Sequence, residues 1–175
     1  KDVQALIKTS SDYGYEARLL QAVEAVNAGQ KKILGKEIVN VFGDDLTGKV
    51  FAVWGLAFKP GTDDMREAPS ISLIRELTSR GAKIKAYDPK AVGTARGFYL
   101  KDIDAITYTE NKYAALEQAD ALILVTEWKE FQSPDFMEIQ KRLRGKYIFD
   151  GRNQYKVKTL EKFGLSYIQM GVRVV

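Results

Sequence analysis

The sequence predicts an α/β fold: a mostly parallel sheet with helices on both faces, preceded by a long connecting helix. Three observations carry this. From residue 50 onward, short apolar runs alternate with segments of helical periodicity, the pattern of strands joined by helical crossovers. Before it, residues 17–42 keep their apolar side chains near one stripe. The 175 residues, 45% hydrophobic and 29% charged, suit a folded protein with one sizeable core.

Taken in order, Val3, Leu6 and Ile7 have helical spacing, and residues 10–14 supply a turn. From Ala17 to Phe42 the stripe Leu19, Leu20, Val23, Val26, Ile33, Leu34, Ile38, Val41 and Phe42 predicts one helix on the order of 40 Å long. Gly29 and Gly35 each cost it about 1 kcal/mol relative to alanine and are places for a bend. This helix is either a connector or a surface that packs on a second copy of itself. Residues 43–49 form the boundary, so the expected domains are 1–45 and 46–175. Strands are expected at 50–54, 83–87, 105–108, 121–125, 147–149 and 166–170. Helices are expected at 71–80, 112–118 with Asn111 as N-cap, 135–143 after Pro134, and 157–163, with 91–104 less regular. There is no internal repeat and no low-complexity segment.

Composition narrows the chemistry. The net charge of +4 is spread along the chain without a basic stripe or a nucleic-acid reading module, so anionic small ligands are expected and nucleic acid is not. With no cysteine and no histidine, thiol nucleophiles, imidazole catalysis and zinc sites built on those ligands are excluded within this sequence, and no metal is expected. No apolar run approaches the roughly 20 residues that span a bilayer, and the first residues lack secretory-signal character, so a cytoplasmic location is expected. Lys1 is not an initiating methionine and opens in helical character, from which a piece of something longer is expected.

One corner concentrates charge at the end of a strand. After Trp54 the chain turns at Gly55 into a loop with Lys59 and Arg66 before a helix begins near Ser70, and Arg152 follows another strand end. In an open α/β sheet ligands bind at the carboxyl ends of strands. Arginine offers a bidentate fork and lysine a point charge, a pair suited to a pyrophosphate. A solvated, internally paired loop with Asp63, Asp64 and Glu67 is the other reading. The glycines at 55 and 61 match neither the dinucleotide fingerprint nor the P-loop. Asp88 stands where a dinucleotide-binding domain keeps its ribose-binding acid, but Pro89 after it favours a turn residue.

Three stretches are more specific: Gly-Leu-Ala-Phe-Lys-Pro-Gly-Thr-Asp-Asp-Met-Arg-Glu-Ala-Pro over 55–69, Tyr87-Asp88-Pro89, and Phe149-Asp150-Gly151-Arg152. They resemble the carboxyl-terminal domain of the UDP-glucose/GDP-mannose dehydrogenase family. Lys1-Asp2-Val3 and the helix containing Asn27 to Lys31 resemble that family's central region. The resemblance covers essentially the whole chain and implies a Rossmann-like domain that binds a UDP-sugar. It also implies a twice-repeated NAD-dependent oxidation at C6 of the sugar, through a thiohemiacetal and a thioester on a cysteine just upstream of the pair matching Lys1 and Asp2. The UDP-glucose branch is favoured over the UDP-N-acetylmannosamine and GDP-mannose branches, and over the other reading of the chain as a non-catalytic scaffold that dimerises through residues 17–42. The stretch in hand, lacking that cysteine and the NAD domain, is expected to be inactive alone. By matching positions, Asp2 resembles the acid that helps activate water. Phe58, Lys59 and Arg152 resemble substrate contacts, Lys1 and Arg66 resemble contacts to NAD, and the long helix resembles a homodimer-forming connector.

Overall fold

The computed structural model describes residues 2–172, which form two compact units that divide between residues 33 and 34. The first unit holds two helices, α1 (Asp2–Asp12) and α2 (Arg18–Gln30), packed as a hairpin in which the Gln4 side-chain amide donates to Glu24. Neither helix contains a buried residue, and Leu19 and Val26 on α2 are 79% and 69% exposed.

The single helix expected over 17–42 is instead two. After α2 the Lys32 amide bonds the Gly29 carbonyl, a tightened i→i−3 turn, and α3 (Ile33–Phe42) then begins. Gly29, the weakest helix former in that stretch, sits where the regular ladder ends. The rod of about 40 Å becomes helices of about 20 and 15 Å.

The second unit is a six-stranded, all-parallel sheet in the order β3-β2-β1-β4-β5-β6. Its strands are β1 (Val50–Trp54), β2 (Lys83–Tyr87), β3 (Ile106–Tyr108), β4 (Ala121–Leu124), β5 (Tyr147–Asp150) and β6 (Ser166–Gln169). Connections run through α4 (Pro69–Ser79), the short α5 (Val92–Thr94) with a π-helical turn at Ala95–Tyr99, and α6 (Lys112–Leu116). They continue through a 3-10 turn at Lys129–Phe131 with α7 (Phe136–Arg142), and α8 (Val157–Glu161). Asn111 caps α6 by accepting from the Ala114 amide, and Asp135 caps α7 by accepting from Met137 and Glu138.

Strands covered on both faces read as unbroken apolar runs. Phe51, Ala52, Val53, Trp54 and the whole of β4 have no exposed surface. The α3 helix seals one face with buried Leu34 and Ile38, and the Phe42 ring meets Phe51 at 5.3 Å and Tyr147 at 5.5 Å between centroids. Residues 34–42 are therefore part of the α/β core, whereas the expected boundary lay after residue 45. The strand order reverses between β1 and β4, which opens a crevice at the carboxyl ends of the sheet. No helix among the described residues is long and apolar enough to cross a membrane.

Candidate nucleotide site at the strand ends

Loops following β1, β4 and β5 meet at this edge because short polar bonds tie each to the next. Gly55 has φ +96, and a Cβ there would lie 2.6 Å from the Thr126 amide nitrogen, so only glycine lets the β1 loop pass the β4 loop this closely. The Thr126 hydroxyl then donates to the Ala57 carbonyl at 2.6 Å, and the Ser70 hydroxyl in α4 donates to Leu56 at 2.5 Å. On the other side the Gly151 amide donates to the Leu124 carbonyl at 2.9 Å.

Asp88 fastens the root of the β1 loop. Its buried carboxylate accepts from the amides of Leu56, Ala57, Lys90 and Ala91 and from the indole of Trp128, at 2.7 to 3.1 Å. Both oxygens are taken up by protein donors, which corrects the ribose-binding reading and agrees with the turn. Among the described residues no group of acids clusters as a metal site would require.

Beyond this root the loop closes on itself. The Phe58 amide donates to the Asp64 carbonyl at 2.9 Å, so that Lys59, Pro60 and Gly61 form its tip. Phe58 is 48% exposed, and Lys59 is exposed with no side-chain partner among the described residues. Arg66 is bound along its Nε–Nη2 edge by Asp64, at 2.5 to 3.0 Å, and that bonding raises the guanidinium's already high pKa. Arg66 also borders a recess of about 400 Å³ lined with Thr62, Asp63, Thr94 and Tyr99; neither Phe58 nor Lys59 borders it.

Asp150, wholly buried, shapes the turn after β5 by accepting from the amides of Arg152 and Gln154 and from the Tyr167 hydroxyl. Burial and this bond push the Tyr167 hydroxyl well above the ordinary phenol range, and burial does the same to Tyr155. The turn presents Arg152, whose Nε donates to the Val125 carbonyl at 2.8 Å and lies 2.9 Å from Glu127. No described residue binds its two Nη atoms.

The expected substrate residues Phe58, Lys59 and Arg152 thus sit in the loops after β1 and β5, the two strands that flank β4 at its carboxyl end. Asp2 is exposed at the start of α1 in the first unit, and Lys1 lies outside the described residues. Sequence reading missed Thr126, Glu127 and Asp150. The rule that singled out the basic residues, position just past a strand end, points to all three.

Residues 52–157 match the model of the UDP-glucose/GDP-mannose dehydrogenase family, UDP binding domain. The chain is 43% identical over 173 residues to a UDP-glucose 6-dehydrogenase of Pseudomonas aeruginosa, covering 98% of this chain and 38% of that protein. It is 36% identical over 171 residues to a UDP-glucose 6-dehydrogenase of Rhizobium meliloti, with the same coverage. A UDP-glucose dehydrogenase structure from the hyperthermophilic archaeon Pyrobaculum islandicum superposes with a TM-score of 0.76 at 32% identity, over 97% of this chain and 35% of that one. The chain spans less than two fifths of the length of these relatives. With more than half of its residues matched by that family model, the chain belongs to the UDP-glucose/GDP-mannose dehydrogenase family.

Proposed function

We propose that this chain is the nucleotide-sugar-binding part and a helical dimerising part of an NAD-dependent UDP-glucose 6-dehydrogenase. The full protein would convert UDP-glucose, two NAD+ and water to UDP-glucuronate and two NADH. The observation that carries this reading is the pair of cations at the switch crevice. Among the described residues nothing occupies the Nη edge that Arg152 presents from the loop after β5 or pairs with the Lys59 ammonium in the loop after β1. A diphosphate bridging them would meet a planar fork at one end and a point charge at the other. Exposed Phe58 beside Lys59 offers an apolar contact to the same ligand.

NAD itself does not fit the dinucleotide position of this domain. Its turn lacks the glycine fingerprint, and the acid at the end of β2 is occupied by five protein donors. Arg66 and Lys1 are proposed to touch NAD held by another segment, and Asp2 to polarise a water that hydrolyses the acyl intermediate, as a hydrogen-bonding carboxylate is suited to do. The exposed apolar residues of α2 support a homodimer through the 17–42 region, and the protein is proposed to act in the cytoplasm.

Isothermal titration of the chain with UDP and with GDP tests the reading. UDP is expected to bind weakly, GDP more weakly, and Arg152→Glu to remove detectable binding while the circular dichroism spectrum is kept. Absence of heat at millimolar UDP would refute an autonomous site, and preference for GDP would move the reading to the GDP-mannose branch.

A further inference from the structure

The loop after β4 carries an acid that neither the family match nor the reading above assigns. Leu124 pairs with Asp150 across β4 and β5, and a Cβ on Gly151 would sit 3.0 Å from the Leu124 carbonyl, so the two chains leave the sheet pressed together. That approach brings Glu127 to Arg152. Its Oε2 lies 2.9 Å from the Arg152 Nε, is sealed from solvent, and receives no hydrogen bond from any described residue. The Nε–H goes instead to the Val125 carbonyl. The Glu127 side chain is 41% exposed and only this one oxygen is sealed, with the guanidinium lying against it in place of a hydrogen-bond donor.

We propose that Glu127 is a positioning residue for Arg152: with the Val125 carbonyl it fixes the Nε edge of the guanidinium, so that the Nη edge is held ready for a ligand phosphate. The proposal rests on the reading of Arg152 as a nucleotide contact. An acid beside an anion-binding arginine also repels the anion. Coulomb energy falls with distance, however, and a phosphate on the Nη edge lies farther from Glu127 than the Nε does. The benefit is pre-organisation, since an arginine already held in its binding rotamer loses less freedom on binding.

The test has two readouts on the whole chain. The first is the Arg152 Nε–H signal in nitrogen-15 NMR, assigned by its loss in Arg152→Lys. In the parent chain it is expected to be rigid and slow to exchange. In Glu127→Gln, which keeps the shape, and in Glu127→Ala, it is expected to become mobile and to exchange at least several-fold faster. The Arg144 Nε–H, bonded to Asp120 at 3.0 Å, should stay unchanged in both variants and reports that the fold is intact. The second readout is UDP affinity, expected to fall by up to about tenfold in both variants, the scale of immobilising one rotamer-rich side chain. An Arg152 signal that is the same in all three proteins overturns the proposal whether or not UDP binds. So does Glu127→Gln binding UDP as tightly as the parent or more so, because the carboxylate would then act only as a repeller. A parent chain that fails to bind UDP while its Arg152 signal loosens in both variants upholds the positioning and refutes the nucleotide reading.

Discussion

Replacing Asp88 by alanine probes the part of the site on which the rest is hung. The substitution removes both acceptors and leaves five donors without a partner. Lys90 is exposed and its amide can turn to water, but Leu56, Ala57, Ala91 and Trp128 are buried. Each buried donor left unsatisfied costs about 1–3 kcal/mol, a nominal 4–12 kcal/mol for four, and relaxation with water entry into the vacated space brings the expected loss to about 3–5 kcal/mol. Against a total stability of about 5–15 kcal/mol, that is a fifth or more. Urea unfolding followed by tryptophan fluorescence measures it, and both tryptophans, Trp54 and Trp128, belong to the α/β unit. Because Trp128 is itself one of the donors, circular dichroism at 222 nm is followed in parallel. Asp88→Asn keeps one acceptor oxygen and should lose less than the alanine variant. A loss under about 1 kcal/mol for Asp88→Ala would refute the account of this carboxylate as the loop's anchor.

Three further outcomes follow from the same geometry. Gly55→Ala forces a side chain into the left-handed region and against the Thr126 backbone, so it should lower stability by at least about 2 kcal/mol in urea titrations; an unchanged midpoint would refute the close-approach argument. The Tyr167 hydroxyl titrates higher folded than unfolded, so its contribution is fully present below the unfolded phenol value of about 10 and is lost as pH rises above it. Unfolding free energies measured from pH 8 to 11 should decline above about pH 10, and Tyr167→Phe should make that decline shallower without removing it, because Tyr155 is raised as well. Light scattering after size exclusion should find a dimer for the parent chain and a monomer for the pair Leu19→Glu and Val26→Glu, whereas a monomeric parent would refute self-association through α2.

Sequence pattern resolved the sheet better than the helices, for a physical reason. The bounds of β1 and β2 were legible to the residue: β1 is a compact apolar run closed by a glycine turn, and β2 alternates buried Ile84 and Ala86 with lysines before the turn at Asp88 and Pro89. Helical periodicity instead runs on through a break. The stripe from Leu19 to Phe42 keeps its phase well enough to conceal the turn at Lys31 and Lys32, which a shift of backbone bonding creates without any change of side-chain pattern. The binding role of Lys59 and Arg152 is the one proposed here, and their placing in loops after strand ends was legible from residue order. What Asp88 does was not, since its donors include Trp128, forty residues away, and two loop amides whose direction is set by the fold. Glu127 acquires meaning only from β4 lying beside β5.

The anchoring of the β1 loop at Asp88 also sets where disorder can reside within the site. The Leu56 and Ala57 amides, bonded to a buried carboxylate, are expected to exchange with deuterium only when the whole unit opens, while the exposed tip at Lys59 exchanges on its own. A ligand arriving at the crevice therefore has only the tip to still. The backbone entropy it must overcome, about 1–2 kcal/mol for each residue fixed, is limited to a few positions instead of the whole loop from 55 to 68. On the proposed reading, a root anchored from within confines the ordering cost of binding to the exposed tip.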